Sequence, residues 1–518
     1  MRFQIKPVFM LAFVVFLAVN RPLRAAAEKI SGRVFLDRNA NGRLDGGETG
    51  LAGIAVTDGV ALVLTRDDGS YGIEIADDPQ MPHPSTRVVS LSWPSGKWPT
   101  GAWWRRLSDI KAKEAVNFGL RDDEQKLPFS FVHITDDHGW GGMYPVFAKE
   151  LKKLGPSVKL CFNTGDLGYA NMENAEAMFS SAAKNAKAIP LPMFFTPGNR
   201  DIVQPPCGDF SAQNELVGNG GFTKHIGPIR WSFDYAGCHF FGVDWMRWPD
   251  GKLEEGTPAV GLEWIEKDLG RLKSGTRIFA FVHFPVAHED FLAVMRKCKV
   301  EYVLGGHNHE HKRFPKDGVA ACTTISLRGN GGCTLGLVGE NGFDAVFRCP
   351  GCAGKKPTDH SPILCAQGKF ERKLLPALRK FRGRRQAVAD AALGPATKKI
   401  DTGNAATIEI AAEIEPGSAR KVGLKIECRK PFEIAYDGKG LNVAGVDIPF
   451  SLRADEKALK LHVIVGKDSL SLYANSLIQL DKTVSTGAVT GVVPFAEGGG
   501  ATVKKLEVWE LKALPPGP

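Results

Sequence analysis

Apolar runs of five to seven residues stop at a polar cluster five times between positions 129 and 309. Phe129 to Thr135 runs into Asp136-Asp137-His138, and Val158 to Phe162 precedes Gly165-Asp166. Pro192 to Thr196 leads to Gly198-Asn199-Arg200-Asp201, Arg277 to Val282 to His283-Phe284-Pro285, and Val300 to Leu304 to Gly306-His307-Asn308-His309. Runs this short and this rich in β-formers read as buried strands. In open α/β sheets ligands collect beyond the carboxyl ends of the strands. Residues from 136 to 309 are therefore expected to converge on one site within a domain spanning 127–349.

The flanks have a different pattern. Upstream, Ile30 to Phe35, Ile54 to Val56 and Ala61 to Thr65 read as strands, and Asp67-Asp68-Gly69-Ser70-Tyr71-Gly72-Ile73 as a turn into a last one, giving a small all-β module at 28–78. Residues 79–126 read as a connecting segment. Downstream, strand follows strand: Ala406 to Ile414, Lys421 to Cys428, Phe432 to Tyr436, Leu459 to Val465, Leu470 to Tyr473, Val492 to Ala496 and Val503 to Leu511. Polar turns separate them, as in an all-β sandwich, here over 401–514. The stretch 350–400 reads as a basic, cysteine-containing linker, with a short helix between Glu371 and Leu393 broken at Pro376 and Gly383.

The polar clusters supply carboxylates, imidazoles and a side-chain amide, a donor set that suits borderline divalent ions such as Zn, Mn or Fe. The absence of thiolates from the set argues against a structural zinc site. A carboxylate surrounded by His and Asn fits two ions about 3.5–4 Å apart that share a hydroxide and clamp a phosphate.

In this order the five motifs resemble the calcineurin-like metallophosphoesterase family. The resemblance extends to Gly227-Pro228, Trp231-Ser232-Phe233-Asp234-Tyr235 and Gly261-Leu262-Glu263-Trp264-Ile265-Glu266-Lys267-Asp268-Leu269. It implies a central α/β metallophosphoesterase sandwich in which Asp136, His138 and His309 bind a first ion, Asn199, His283 and His307 a second, and Asp166 bridges both. Asp137 fills a variable slot, as a solvated or supporting residue. Arg200, Asp201 and His311 are the candidates for catalytic work. His311 continues the alternating histidines, as a substrate contact or as surface. The family usually has His where this chain has Arg200. Arginine keeps a charge that can hold a phosphoryl oxygen bidentately, but with a pKa above about 12 it donates no proton. Three readings stay open: esters with good leaving groups, another acid such as His311 or a metal-bound water, or a catalytically weakened site.

The N-terminal module resembles the B-type β modules of bacterial surface adhesins. Within it, Asp37, Asn39, Asn41, Arg43, Asp45 and Glu48 lie on a loop with the spacing of an EF-hand calcium loop, Gly42 taking the turn position. The alternative is an ion-free, Asx-rich turn. The C-terminal domain, through Ala412-Glu413-Ile414-Glu415, Ala435-Tyr436-Asp437, Ser469 to Asn475 and Phe495 to Gly499, resembles the jelly-roll-like β-sandwich of fructan-degrading glycoside hydrolases. That implies an accessory role or glycan binding, and it places no catalytic carboxylate pair.

Arg2 and Lys6, the apolar run Val8 to Val19 and Ala25-Ala26-Ala27 together read as a secretory signal peptide over 1–27, with an uncleaved anchor as the alternative. The mature chain is then expected to be secreted or periplasmic. The net charge of +9 is concentrated in Lys369, Arg372, Lys373, Arg379, Lys380, Arg382, Arg384 and Arg385, either a solvated linker or an attractor of anionic surfaces. No nucleic-acid recognition motif accompanies it. Of ten cysteines, Cys349 and Cys352 form the tightest pair, with Cys365 as the other partner for a bridge, and Cys161 reads as a buried free thiol. Trp140, Trp245 and Trp248 are readable either as substrate-stacking rings or as core. The whole reads as a secreted metal-dependent hydrolase of phosphoric mono- or diesters acting through two metal ions and a bridging hydroxide. The alternative is a weakened metallophosphoesterase scaffold acting as a cell-surface or glycan-binding protein.

Overall fold

Phenylalanines on two facing sheets build the centre of the molecule. In the first sheet Phe129–Ile134 is flanked by Val158–Asn163, parallel, and Cys333–Gly339, antiparallel. The second has six strands in the order Trp231–Tyr235, Cys238–Gly242, Arg277–Phe281, Tyr302–Gly305, Val319–Thr323 and Lys312–Lys316. Phe131 and Phe162 from the first meet Phe240 and Phe281 from the second, with the Phe162 and Phe281 rings 3.8 Å apart. The centre is thus a pair of facing, strand-rich sheets. The computed structural model describes residues 29–139, 141–205, 214–248, 252–285, 288–316, 318–328, 332–349, 374–394, 397–475 and 477–512. The leader read at 1–27, Trp140, Cys352, Cys365, Lys369, Arg372 and Lys373 lie outside them. Cys349 is disulfide-bonded, and Cys161 is a buried free thiol.

The N-terminal module does not end at 78. Its two four-stranded sheets run Ser70–Glu74, Lys29–Leu36, Phe118–Asp122, Lys97–Pro99 and Leu62–Leu64, Ala55–Thr57, Val88–Ser92, Trp104–Arg106. Half of these strands come from the stretch read as a connector. Lys29–Leu36 pairs with Phe118–Asp122 in parallel, so the module closes only when the chain returns from far downstream. It is also joined to the central sheets. Trp93 stacks on Phe233 at 4.8 Å, and Trp264 Nε1 donates to Thr57 Oγ1 at 2.9 Å. Arg230, wholly buried, donates to Asp244 at 2.7 and 3.0 Å, to Asp78 at 2.9 Å and to the Gly59 carbonyl at 3.0 Å.

The C-terminal half is likewise continuous with the centre. Gly342–Arg348, beside Cys333–Gly339, pairs with Ile478–Thr483, and the sheet runs on through Ser469–Ala474, Leu459–Val465, Ile408–Glu415 and Ala501–Leu511 to Arg382–Leu393. One eleven-stranded sheet thus spans both domains, and a second six-stranded sheet covers its C-terminal part. The linker reading is corrected for 374–393. Leu375–Phe381 is a helix with Pro376 in its first turn, where no backbone donor is missed. Arg382–Leu393 is an edge strand. Arg382 holds Glu409 bidentately at 2.6 and 2.8 Å and lies 3.8 Å over the Trp509 ring, and Arg385 pairs with Glu507. The basic run is therefore in part a packing device.

His239 lies buried between the second sheet and the helix Ala259–Gly270, with Nδ1 2.6 Å from Asp234 and Nε2 3.0 Å from Asp268, which also binds Arg271 at 2.8 Å. Burial disfavours its charge, but the two carboxylates outweigh burial and raise its pKa above the usual 6.5. The resulting stability is fully present below about pH 6.5 and is lost as pH rises through the raised folded-state value. We expect the urea midpoint of the wild type to fall as pH rises above about 6.5 into the alkaline range, relative to His239→Gln. Parallel midpoints across that range would show that His239 is not held as a cation.

Candidate metal centre

All seven expected ligands sit where strands of the two sheets end. Asp136 and His138 follow Phe129–Ile134, Asp166 follows Val158–Asn163, and Asn199 lies beyond Met193–Phe195. His283 follows Arg277–Phe281, and His307 and His309 follow Tyr302–Gly305. The turns are tight: a Cβ on Gly165 would lie 2.1 Å from the Gly198 nitrogen, and one on Gly198 would lie 2.3 Å from Asp166 Oδ1. Five of the seven, Asp136, His138, Asp166, His307 and His309, have left-handed backbone with φ between 49 and 70°. That conformation costs a non-glycine residue about 1–3 kcal/mol and gathers at functional sites. Here it turns side chains from separate strands towards one point.

Two clusters result. In the first, His309 Nε2 lies 3.3 Å and His138 Nε2 3.8 Å from Asp136 Oδ1, and the two imidazole nitrogens face each other at 2.9 Å. In the second, Asn199 Oδ1 lies 3.0 Å from His283 Nε2 and 3.1 Å from His307 Nδ1, which are 3.2 Å from each other. Asp166 Oδ1 lies 3.5 Å from His283 Nε2, and the ligand atoms of Asp136, Asp166 and His283 fall within 4.8 Å of one another. Asp166 therefore lies beside the second cluster and within reach of Asp136 of the first.

The donors fit metal ions. His283 Nδ1 faces the Thr164 carbonyl at 2.7 Å, so it carries the proton and leaves Nε2 as a lone pair. That lone pair points at Asn199 Oδ1, itself an acceptor, and Asp136 Oδ1 is buried without a hydrogen-bond partner of good geometry. Lone pairs brought face to face in this way are satisfied by a shared cation. Burial lowers the pKa of His138 to about 4 and also lowers that of His307, keeping both rings neutral as ligands. Burial alone would raise Asp136, but the polar contact with His309 and the imidazoles around it hold it at about 2.

The remaining candidates are placed differently. Asp201 is wholly buried and accepts the backbone amides of Asp166 at 2.8 Å, Leu167 at 2.9 Å and Gly198 at 2.8 Å. It ties two ligand loops together and does not face a reacting group. His311 is corrected as a catalytic candidate: its ring is buried against Phe347 at 4.6 Å, and Nδ1 accepts the Ile325 amide at 3.3 Å. Asp137 is a buried supporting residue under Tyr144, whose hydroxyl donates to it at 2.6 Å. Trp245 and Trp248 are buried in the core. Arg200 is exposed, its amide donating to Asp166 Oδ1 at 2.8 Å.

On the N-terminal loop, Asp37 accepts the amides of Asn41 and Gly42, and the side chains of Asn39 and Asn41 donate to Asp45. Glu48 accepts the amides of Arg38 and Asp45, and the Arg43 amide donates to Asn41. The loop closes on itself, and the carboxylates of Asp37, Asp45 and Glu48 do not gather as tightly as the ligands of the two clusters above.

Three residues at the centre carry no motif. Tyr169 stacks on His138 at 5.0 Å, Glu255 lies 3.8 Å from His307 Nε2, and the positive charge of Arg328 acts on both His138 and His309. Arg328 follows Ser326, which donates to the Asp136 carbonyl at 2.5 Å. None of the three is marked by an apolar run, because only tertiary packing brings them in. A separate cavity of about 800 Å³ opens at the opposite ends of the strands, against the C-terminal sandwich, with Glu340, Asp344, Asp437 and Asp447 facing Lys439 and Lys482. Its excess of carboxylates disfavours a phosphate.

Residues 129–311 match the calcineurin-like phosphoesterase family model. No curated protein matches the chain. Among solved structures, it is similar to the purple acid phosphatase PPD1 of yellow lupin at 13% identity, over 62% of this chain and 67% of that one, with a TM-score of 0.33. TT1561 of Thermus thermophilus is similar at 13% identity over 40% of this chain and 93% of its own, with a TM-score of 0.29. A β-fructofuranosidase of Aspergillus kawachii is similar at 14% identity over 27% of this chain and 29% of its own, with a TM-score of 0.22. The strand-end motifs and the family match agree on residue range, so the likeness to calcineurin-like phosphoesterases rests on residues 129–311.

Proposed function

We propose that this protein hydrolyses phosphoric esters at a centre of two divalent metal ions, the first held by Asp136, His138 and His309, the second by Asn199, His283 and His307, with Asp166 between them. The observation that carries this reading is the pair of clusters meeting at Asp136 and Asp166, with acceptor atoms face to face. Two such ions, when bound, supply Lewis acidity and activation of water for displacement at phosphorus. The chain's own residues do the rest. Asp201 fixes the loops that carry Asp166 and Asn199. The Thr164 carbonyl sets the His283 tautomer. Arg200, exposed at the rim, offers charge to a phosphoryl oxygen.

Since Arg200 gives no proton and His311 is turned into the core, neither of these side chains protonates the departing alcohol. Purified protein with added Mn or Zn is expected to cleave nitrophenyl phosphates far faster than alkyl phosphates, and to lose activity on chelation. Equal rates on both ester classes would show that another group supplies a proton. No turnover of any ester by protein carrying its full complement of metal would favour the scaffold reading.

A further inference from the structure

Tyr169 presents an unusual combination. It is 52% exposed, among the few large apolar side chains so open in the described residues, yet it stands at the edge of the first cluster. One ring neighbour is His138, at 5.0 Å and 22° between planes. Another is the Arg200 guanidinium, whose carbon lies 5.4 Å from the ring centroid. The backbone holds this arrangement from below: the Ala170 amide donates to the Arg200 carbonyl at 2.8 Å, and the Arg200 amide to Asp166 at 2.8 Å. The third motif is thus zipped to the second and the residues just after it, and Tyr169 and Arg200 come out beside each other.

An exposed arginine samples many rotamers and loses that freedom when it binds an anion. Among the described residues, Arg200 has no carboxylate partner to restrict it. The Tyr169 ring lies in cation–π range of it. A guanidinium laid on an aromatic face keeps its N–H edges free, because the ring takes the plane and leaves the fork. The fork can then meet two oxygens of one phosphoryl group.

We propose that Tyr169 is a positioning residue that shelves Arg200 beside the first cluster, so that the guanidinium is pre-set to receive a phosphoryl oxygen. This rests on the phosphoesterase reading of the site. The ring does the work and the phenol does not, which separates this role from one in which the hydroxyl binds metal or passes a proton.

The test uses the full-length, metal-loaded protein, with inorganic phosphate as the probe and nitrophenyl phosphate as the substrate. Phosphate binding is measured by calorimetry and by competitive inhibition, with metal content determined for each variant. Tyr169→Ala is expected to weaken phosphate binding about 5-fold, with metal content unchanged, and Tyr169→Phe to bind within about 2-fold of the wild type. Arg200→Ala should bind more weakly still, and Tyr169→Ala in that background should add nothing, since the two act as one unit. A Phe variant as impaired as the Ala variant would overturn the proposal by showing that the phenol is used. So would additive losses, or a Tyr169→Ala protein that binds phosphate normally. If the wild type binds phosphate and hydrolyses no ester, the catalytic reading fails while the shelf is still measured by binding. If it binds no phosphate, both fall.

Discussion

Asp166→Asn should lower ester hydrolysis by at least about 100-fold, the scale of losing a fixed electrostatic partner of the transition state. It should also release at least one metal ion per chain. The substitution is close to isosteric, so its Oδ1 still accepts the Arg200 amide, now at 2.8 Å from Asp166, and the loop keeps its shape. What changes is charge. Asp136 and Asp166 are the carboxylates at which the two clusters meet, and Asp166 lies 3.5 Å from His283 Nε2. Metal analysis of the purified variant, with circular dichroism to confirm the fold, reads the outcome. Full metal content with normal turnover would dismiss Asp166 as the bridge. His283→Ala and His307→Ala offer an internal control, because both rings converge on Asn199 and should empty the same position.

Arg230→Met is expected to destabilise the protein by about 3–5 kcal/mol, the usual consequence of leaving buried charge uncompensated. The guanidinium is fully buried, and so in effect are its partners Asp78 and Asp244. Asp78 comes from the N-terminal module and Asp244 from the loop after Cys238–Gly242, so the cation holds two domains as well as two charges. Urea denaturation of wild type and variant gives the loss directly. Adding Asp78→Asn and Asp244→Asn to Arg230→Met should recover a substantial part, because the stranded carboxylates are then gone. A variant as stable as wild type would mean that water or a neighbour already neutralises the pair.

The seven candidate metal ligands were legible in sequence because each is local to a strand end. Nothing longer in range was. His311 looked like a continuation of His307 and His309, but the chain enters a new strand at Lys312 and the imidazole turns onto Phe347. Asp201 carries the same chemical label as Asp166, and only its three amide donors show that it braces the loops. Tyr169 had no signal at all, since its importance lies in the two side chains it touches. The domain limits drawn at 78 and 400 misled for a related reason. Val88–Ser92 and Arg382–Leu393 lie in stretches rich in turn and charged residues, and their partners are decided by sheet edges that close far away in sequence.

The seam between Gly342–Arg348 and Ile478–Thr483 has a consequence for how the chain is made. During synthesis the central sheet emerges with the outer edge of Gly342–Arg348 bare, and its partner begins only at Ile478. At roughly 5–20 residues per second that wait lasts on the order of ten seconds. A bare strand edge of this length is a template for pairing with other nascent copies. A gene truncated anywhere between 349 and 477 makes the wait permanent, so such products are expected to collect in the insoluble fraction. The C-terminal sandwich is in that sense the central domain's own edge protection, delivered late.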